Sequence, residues 1–128
     1  MSTVRQLHSI HHVLFPTTDM ERTARWYEDV FGLRRVPVKQ KAGPLEVLLL
    51  TNGSFDLHFT PVDAPVAMHP YHFALEVEDW DRFIAHLEEL GIEYQAIRVR
   101  PQNNSKTSEI TDPDGHSVEF VWHGDRDW

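Results

Sequence analysis

Apolar residues recur along this chain in two spacings, alternate positions in some stretches and every third or fourth in others, and the succession occurs twice. Residues 10–16 (Ile-His-His-Val-Leu-Phe-Pro) alternate and end on proline, which predicts a strand. Thr17, Thr18 and Asp19 then offer helix-capping oxygens. Met20, Ala24, Tyr27 and Phe31 fall on one helical face, and Gly32 suits the left-handed residue that closes a helix. Strands are predicted at about 34–39, 45–51 and 54–60, the last two joined by Asn52-Gly53, a two-residue hairpin signal. A proline-bearing linker spans 61–70.

The order then repeats. A strand at 71–77 precedes Trp80, Phe83, Leu87 and Leu90 at helical spacing, with Gly91 as cap. Strands near 93–100, 105–111 and 116–122 follow, the last two joined by the turn Asp112-Pro113-Asp114-Gly115. The pattern predicts an α+β fold: one domain of two tandem βαβββ modules, about 10–60 and 71–122, forming a curved mixed sheet around a cleft.

Strand alternation assigns faces. Val13 and Phe15 oppose His12 and Leu14; Phe55, Leu57 and Phe59 oppose Asp56, His58 and Thr60. Phe73, Leu75 and Val77 oppose His72, and Val118, Phe120 and Trp122 oppose Glu119. Helices covering the greasier faces leave His12, His58, His72 and Glu119 pointing into the cleft. Three imidazoles and a carboxylate are a metal-capable set. They suit one divalent ion, Fe, Mn, Ni, Co or Zn, with positions left open for a small-molecule substrate.

The other polar candidates are read as structural. His11 shares the Val13 face. His86 lies off the apolar stripe of its helix and is expected in solvent. His8 and His69 fall in terminal and linker segments, and His123 beyond the last strand, at the surface. His116 follows the turn glycine and either fixes that hairpin or lines the cleft rim. Asp112 and Asp114 are expected to bond their own turn backbone. Trp26, Tyr27 and Trp80 are packing or interface residues.

The chain has 128 residues, 12 basic and 20 acidic, for a net charge of −8. That balance argues against nucleic-acid binding, which needs a basic footprint. No apolar run spans a bilayer and no signal-peptide pattern opens the chain, so no membrane partner and a cytoplasmic location are expected. The absence of cysteine excludes thiolate catalysis and Cys-type zinc sites.

The doubled order, the His12-Val13-Leu14-Phe15 opening, the segment Trp26-Tyr27-Glu28-Asp29-Val30-Phe31-Gly32-Leu33 and Asp112-Pro113-Asp114-Gly115-His116 before Val118-Glu119-Phe120 resemble the vicinal oxygen chelate superfamily. It includes glyoxalases, extradiol dioxygenases, fosfomycin-resistance enzymes and metal-free bleomycin-binding proteins. The resemblance implies metal ligands at His12, His58, His72 and Glu119, with His58 and Glu119 also as catalytic proton carriers. Glyoxalase I typically carries Glu where His58 stands, so the likeness is nearer to a two-histidine, one-carboxylate set. The implied function is a metal-dependent lyase, isomerase or ring-cleaving dioxygenase acting on adjacent oxygens through a chelated enolate or oxyanion. The alternative is a metal-free protein that sequesters a toxic small molecule. Lys106-Thr107-Ser108 resembles the phosphonate loop of the fosfomycin enzymes. Relatives of this length usually pair, which implies a homodimer.

Overall fold

The computed structural model describes residues 6–37 and 46–124. The first module comprises β1 (His12–Thr17), α1 (Met20–Phe31), β2 (Arg34–Arg35), β3 (Leu48–Thr51) and β4 (Asp56–Pro61). The second comprises β5 (Phe73–Glu76), α2 (Trp80–Leu90), β6 (Arg98–Arg100), β7 (Ser105–Thr111) and β8 (Ser117–His123), with a 3-10 turn at Pro101–Asn103. The predicted strand positions 38–39 and 45 lie outside the described residues. Each module builds a four-stranded sheet, ordered β1-β4-β3-β2 and β5-β8-β7-β6. β1 runs parallel to β4 and β5 to β8, and the other pairs are antiparallel. β1 and β5 are therefore edge strands, each with one side unpaired by the sheets of this chain. No helix among the described residues is long and apolar enough to cross a membrane.

Both helices start and stop where their capping residues dictate. Asp19 and Asp79 accept the Arg22 and Arg82 amides at 3.0 and 3.1 Å, satisfying donors that a helix start leaves free. Gly32 and Gly91 close the helices at φ 69° and 71°, a backbone state that costs glycine little.

The greasy faces meet in one core. Phe15, Leu48, Leu50, Leu57 and Phe59 pack beneath Tyr27 and Val30; Leu75, Ile110, Val118 and Phe120 pack beneath Trp80 and Leu87. Phe15 meets Phe73 edge-on at 4.9 Å, and Phe31 stacks on Phe83 at 5.5 Å. The modules are thus joined through their helix-covered sides, so the opposite sheet faces turn away from the shared core.

A polar clasp seals that junction. In the β7–β8 turn, Asp114 accepts from the hydroxyls of Thr17 and Thr23 at 2.7 and 3.2 Å and from the Thr18 amide at 3.0 Å. Arg22 adds an ion pair at 3.2 Å. Tyr27 donates its phenolic proton to Asp112 at 2.8 Å, and His116 Nε2 donates to the Pro16 carbonyl at 2.7 Å. Asp112 also accepts from the Asp114 and His116 amides at 2.9 Å, as the turn reading expects. The expectation that both aspartates bond their own turn holds for Asp112, which also reaches the first module through Tyr27; it is corrected for Asp114, whose carboxylate bonds the first module instead.

Three local expectations change. The hairpin after β3 spans four residues: Thr51 pairs with Asp56, and Asn52 Oδ1 caps the loop by accepting from the Ser54 and Phe55 amides. The stretch 93–97 is not a strand; Gln95 ties it to β7, its amide bonding the Glu109 carbonyl and its carbonyl taking the Ser108 hydroxyl. His123 ends β8 and is only 15% exposed, its Nδ1 lying 3.8 Å from Glu76.

Candidate metal centre

The alternation places the four candidate side chains on the outward faces. Along β1, Val13, Phe15 and Thr17 are covered while His12 and Leu14 are exposed. On β4, Leu57 and Phe59 are buried and His58 is half-buried. In β8, Val118 and Phe120 are buried and Glu119 is half-buried. His72 immediately precedes β5 and is exposed.

The four form two pairs. His12 stacks on His58 at 4.0 Å between ring centroids, and His58 Nε2 lies 3.2 Å from Asp56. On the second sheet, His72 Nε2 lies 3.1 Å from Glu119 Oε2, while its Nδ1 contacts the Pro70 carbonyl at 3.0 Å. Among the described residues of one chain, no three His, Asp or Glu side chains group closely enough to hold a metal ion.

The His72 geometry has a consequence for charge. A carbonyl can only accept, so Nδ1 carries a proton. Nε2 then faces the Glu119 carboxylate as a second acceptor unless a positive centre lies between them. The Pro70 hydrogen bond is the largest influence lifting the His72 pKa, opposed by burial and reinforced by Glu119 and Glu109. The same arrangement, Nδ1 held by a carbonyl with Nε2 free, orients ligating histidines in metal sites. The donor types therefore fit a divalent ion in chemistry, although they stand as two separate pairs within one chain.

His11 belongs to this region and was missed by alternation. β1 starts at His12, so the face rule does not extend to it. It is exposed, its Nδ1 lies 2.9 Å from His12 Nδ1, and its ring centroid lies 6.3 Å from that of His58. His86, expected in solvent, donates to the Asp29 carbonyl at 2.7 Å and ties α2 to α1. His8 and His69 are exposed. The resemblance of Lys106-Thr107-Ser108 to a phosphonate loop is not matched by its orientation. Lys106 pairs with Trp122 in register and lies over its ring at 5.6 Å, and Ser108 is buried against Gln95.

Comparisons with known proteins agree with this architecture. Residues 9–120 match the family model of the Glyoxalase/Bleomycin resistance protein/Dioxygenase superfamily, and the chain belongs to that superfamily. It is 28% identical over 117 residues to the metallothiol transferase FosB of Lysinibacillus sphaericus (strain C3-41), covering 88% of this chain and 80% of that protein. Its fold is similar to a putative glyoxalase family protein from Bacillus anthracis, with TM-score 0.81 and 20% identity over 95% of this chain and 100% of that one. It is also similar to a mutant of the fosfomycin resistance protein FosX from Listeria monocytogenes, complexed with Mn(II) and 1S,2S-dihydroxypropylphosphonic acid. There the TM-score is 0.73 and the identity 14%, over 94% of this chain and 95% of that one.

Proposed function

We propose that the protein is a divalent-metal-dependent enzyme that takes a small molecule through two adjacent oxygens. His12, His72 and Glu119 hold the ion, and His58 serves as fourth ligand or as proton carrier. The His72–Glu119 contact carries this reading: an imidazole nitrogen and a carboxylate oxygen face each other at 3.1 Å with the other ring nitrogen already committed to Pro70. A metal satisfies that pair as well as a proton does. Family membership and similarity to a metallothiol transferase support the same chemistry.

The site is completed between two copies. Both ligand faces turn away from the core, and β1 and β5 each leave one edge unpaired. A homodimer that sets one chain's His12–His58 pair against a second chain's His72–Glu119 pair assembles the full donor set.

When bound, the ion supplies Lewis-acid stabilisation of charge on a chelated oxygen. The chain's own residues do the rest. The Pro70 carbonyl holds the His72 ring in one tautomer, and the outward sheet faces admit substrate. His58, 3.2 Å from Asp56, is placed to hold or pass on a proton. The reaction we assign is a lyase, isomerase or group-transfer step on an oxygenated carbon. Ring-cleaving oxygenation is the weaker branch, since none of the three relatives above is named as an oxygenase.

The test is metal uptake. Dialysis against Mn(II), Ni(II), Fe(II) or Zn(II) is expected to leave about one ion per chain and to raise Tm by ligand linkage. Turnover of a panel of epoxides with thiols, and of hydroxy ketones, then fixes the reaction. Protein that binds none of the four ions and turns over nothing would favour metal-free sequestration instead.

A further inference from the structure

Beside the His72–Glu119 pair, the outward face of the second sheet carries a hollow of about 420 Å³. Its polar lining includes Gln95, Arg98, Glu109, Thr111 and Ser117. Glu109 stands directly opposite Glu119 in the β7–β8 register, which brings the two Cβ atoms to about 5 Å. Like charges so placed repel, and the fold keeps them by giving each a different partner. Glu119 meets His72, and Glu109 Oε2 accepts the Ser117 hydroxyl at 2.9 Å. Glu109 Oε1 has no hydrogen bond among the described residues.

Arg98 is the only guanidinium or ammonium among the described residues that line the hollow. It pairs with Thr107 in the β6–β7 register, is exposed, and makes no ion pair among the described residues. Lys106, the nearest lysine in sequence, is turned to the other face by Trp122. One cation and one carboxylate therefore border the same small space, next to a second carboxylate.

We infer that Glu109 and Arg98 select the substrate class: a small hydroxy or amino acid. Its single carboxylate meets Arg98, and its hydroxyl or ammonium donates to Glu109. A dianionic group such as the phosphonate bound by the Listeria relative meets Glu109 and Glu119 together and is disfavoured. The inference rests on the metal reading above only in that Glu109, which lines the hollow, stands opposite the proposed ligand Glu119.

The experiment is calorimetric titration of the full chain, loaded with Mn(II), against glycerate and methylphosphonate. Glycerate is expected to bind wild type at least tenfold more tightly. Glu109→Gln keeps an oxygen for Ser117 and is expected to strengthen methylphosphonate binding on the order of tenfold. Arg98→Gln is expected to weaken glycerate about tenfold. Circular dichroism on each variant confirms folding. A wild type that prefers methylphosphonate, binds neither probe, or keeps its preference in Glu109→Gln overturns the inference. Mn(II) uptake is measured separately by electron paramagnetic resonance. If none binds, the metal reading fails, and the same titrations on the metal-free chain decide the selectivity by the same criteria.

Discussion

Tyr27 and Asp112 share a hydrogen bond of 2.8 Å across the junction of the two modules, from the middle of α1 to the end of β7. Burial, then the Asp112 charge, pushes the phenol pKa well above its ordinary value, so Tyr27 keeps its proton and donates at neutral pH. Burial also raises the Asp112 carboxyl, against the opposing effects of Tyr27 and the His116 and Asp114 amides.

Removing that proton donor leaves a carboxylate that is 4% exposed short of one partner. Tyr27→Phe is expected to cost about 1.5 kcal/mol, with little change in fold because the ring still packs on Phe59. Urea denaturation of the variant checks it. An unchanged midpoint would show that the hydroxyl contributes nothing net.

Asp114 is the stronger grip. Its side chain is 3% exposed and gathers Thr17, Thr18, Thr23 and Arg22. Asp114→Ala strands those donors and is expected to cost on the order of 3 kcal/mol, or roughly 10 °C in Tm. Scanning calorimetry reads the shift.

The two aspartates give opposite pH signatures. Burial would raise Asp114, but the hydroxyls of Thr18 and Thr17, the Thr18 amide and the Thr23 hydroxyl more than offset it, leaving its pKa below the usual value. Its contribution is complete above the unfolded carboxylate pKa of about 4 and is lost as pH falls through the lowered folded value. Asp112, raised on folding, does the reverse: the folded state gains relative stability as pH falls through the raised value toward about 4. Urea midpoints measured from neutrality downward are expected to lose stability steeply only below about pH 4. Asp114→Asn is expected to flatten that limb.

Sharing of the site between chains has its own signature. On the proposed arrangement, His12→Ala and Glu119→Gln each remove one ligand from every site. Unfolded together and refolded as a mixture, they form heterodimers in which one site receives both intact residues. Metal uptake is then expected to recover to about a quarter of wild type, since half the dimers are mixed and each holds one complete site. Recovery of nothing, with dimers confirmed by sedimentation, places the site within a single chain and sinks the shared arrangement.

Much of this molecule is written locally in its sequence. Asp19 and Gly32, like Asp79 and Gly91, mark helix ends by chemistry that acts within a few residues, and both helices begin and end there. Period-two alternation turns His12, His58 and Glu119 outward, as the structure has them, because each adjoins or lies within a regular strand. The same rule fails for His11, one residue before β1 begins. It cannot find the grip of Asp114 on Thr17, because the partners lie 97 residues apart and nothing local marks them. The separation of the candidate ligands into two pairs is equally out of reach, since it follows from which sides of the modules pack together.

That packing leaves neither half self-sufficient. A gene fragment ending in the 61–70 linker encodes a chain whose Phe15 and Tyr27 lose the Phe73 cover, and whose Thr17 and Thr23 lose their carboxylate. Expressed alone, such a fragment is a substrate for proteases and aggregation; co-expressed with its other half, it has a ready-made mate. Cutting the linker therefore gives a natural place to build a two-piece reporter, whose reassembly is driven by aromatic surface and steered by the two aspartates of the β7–β8 turn.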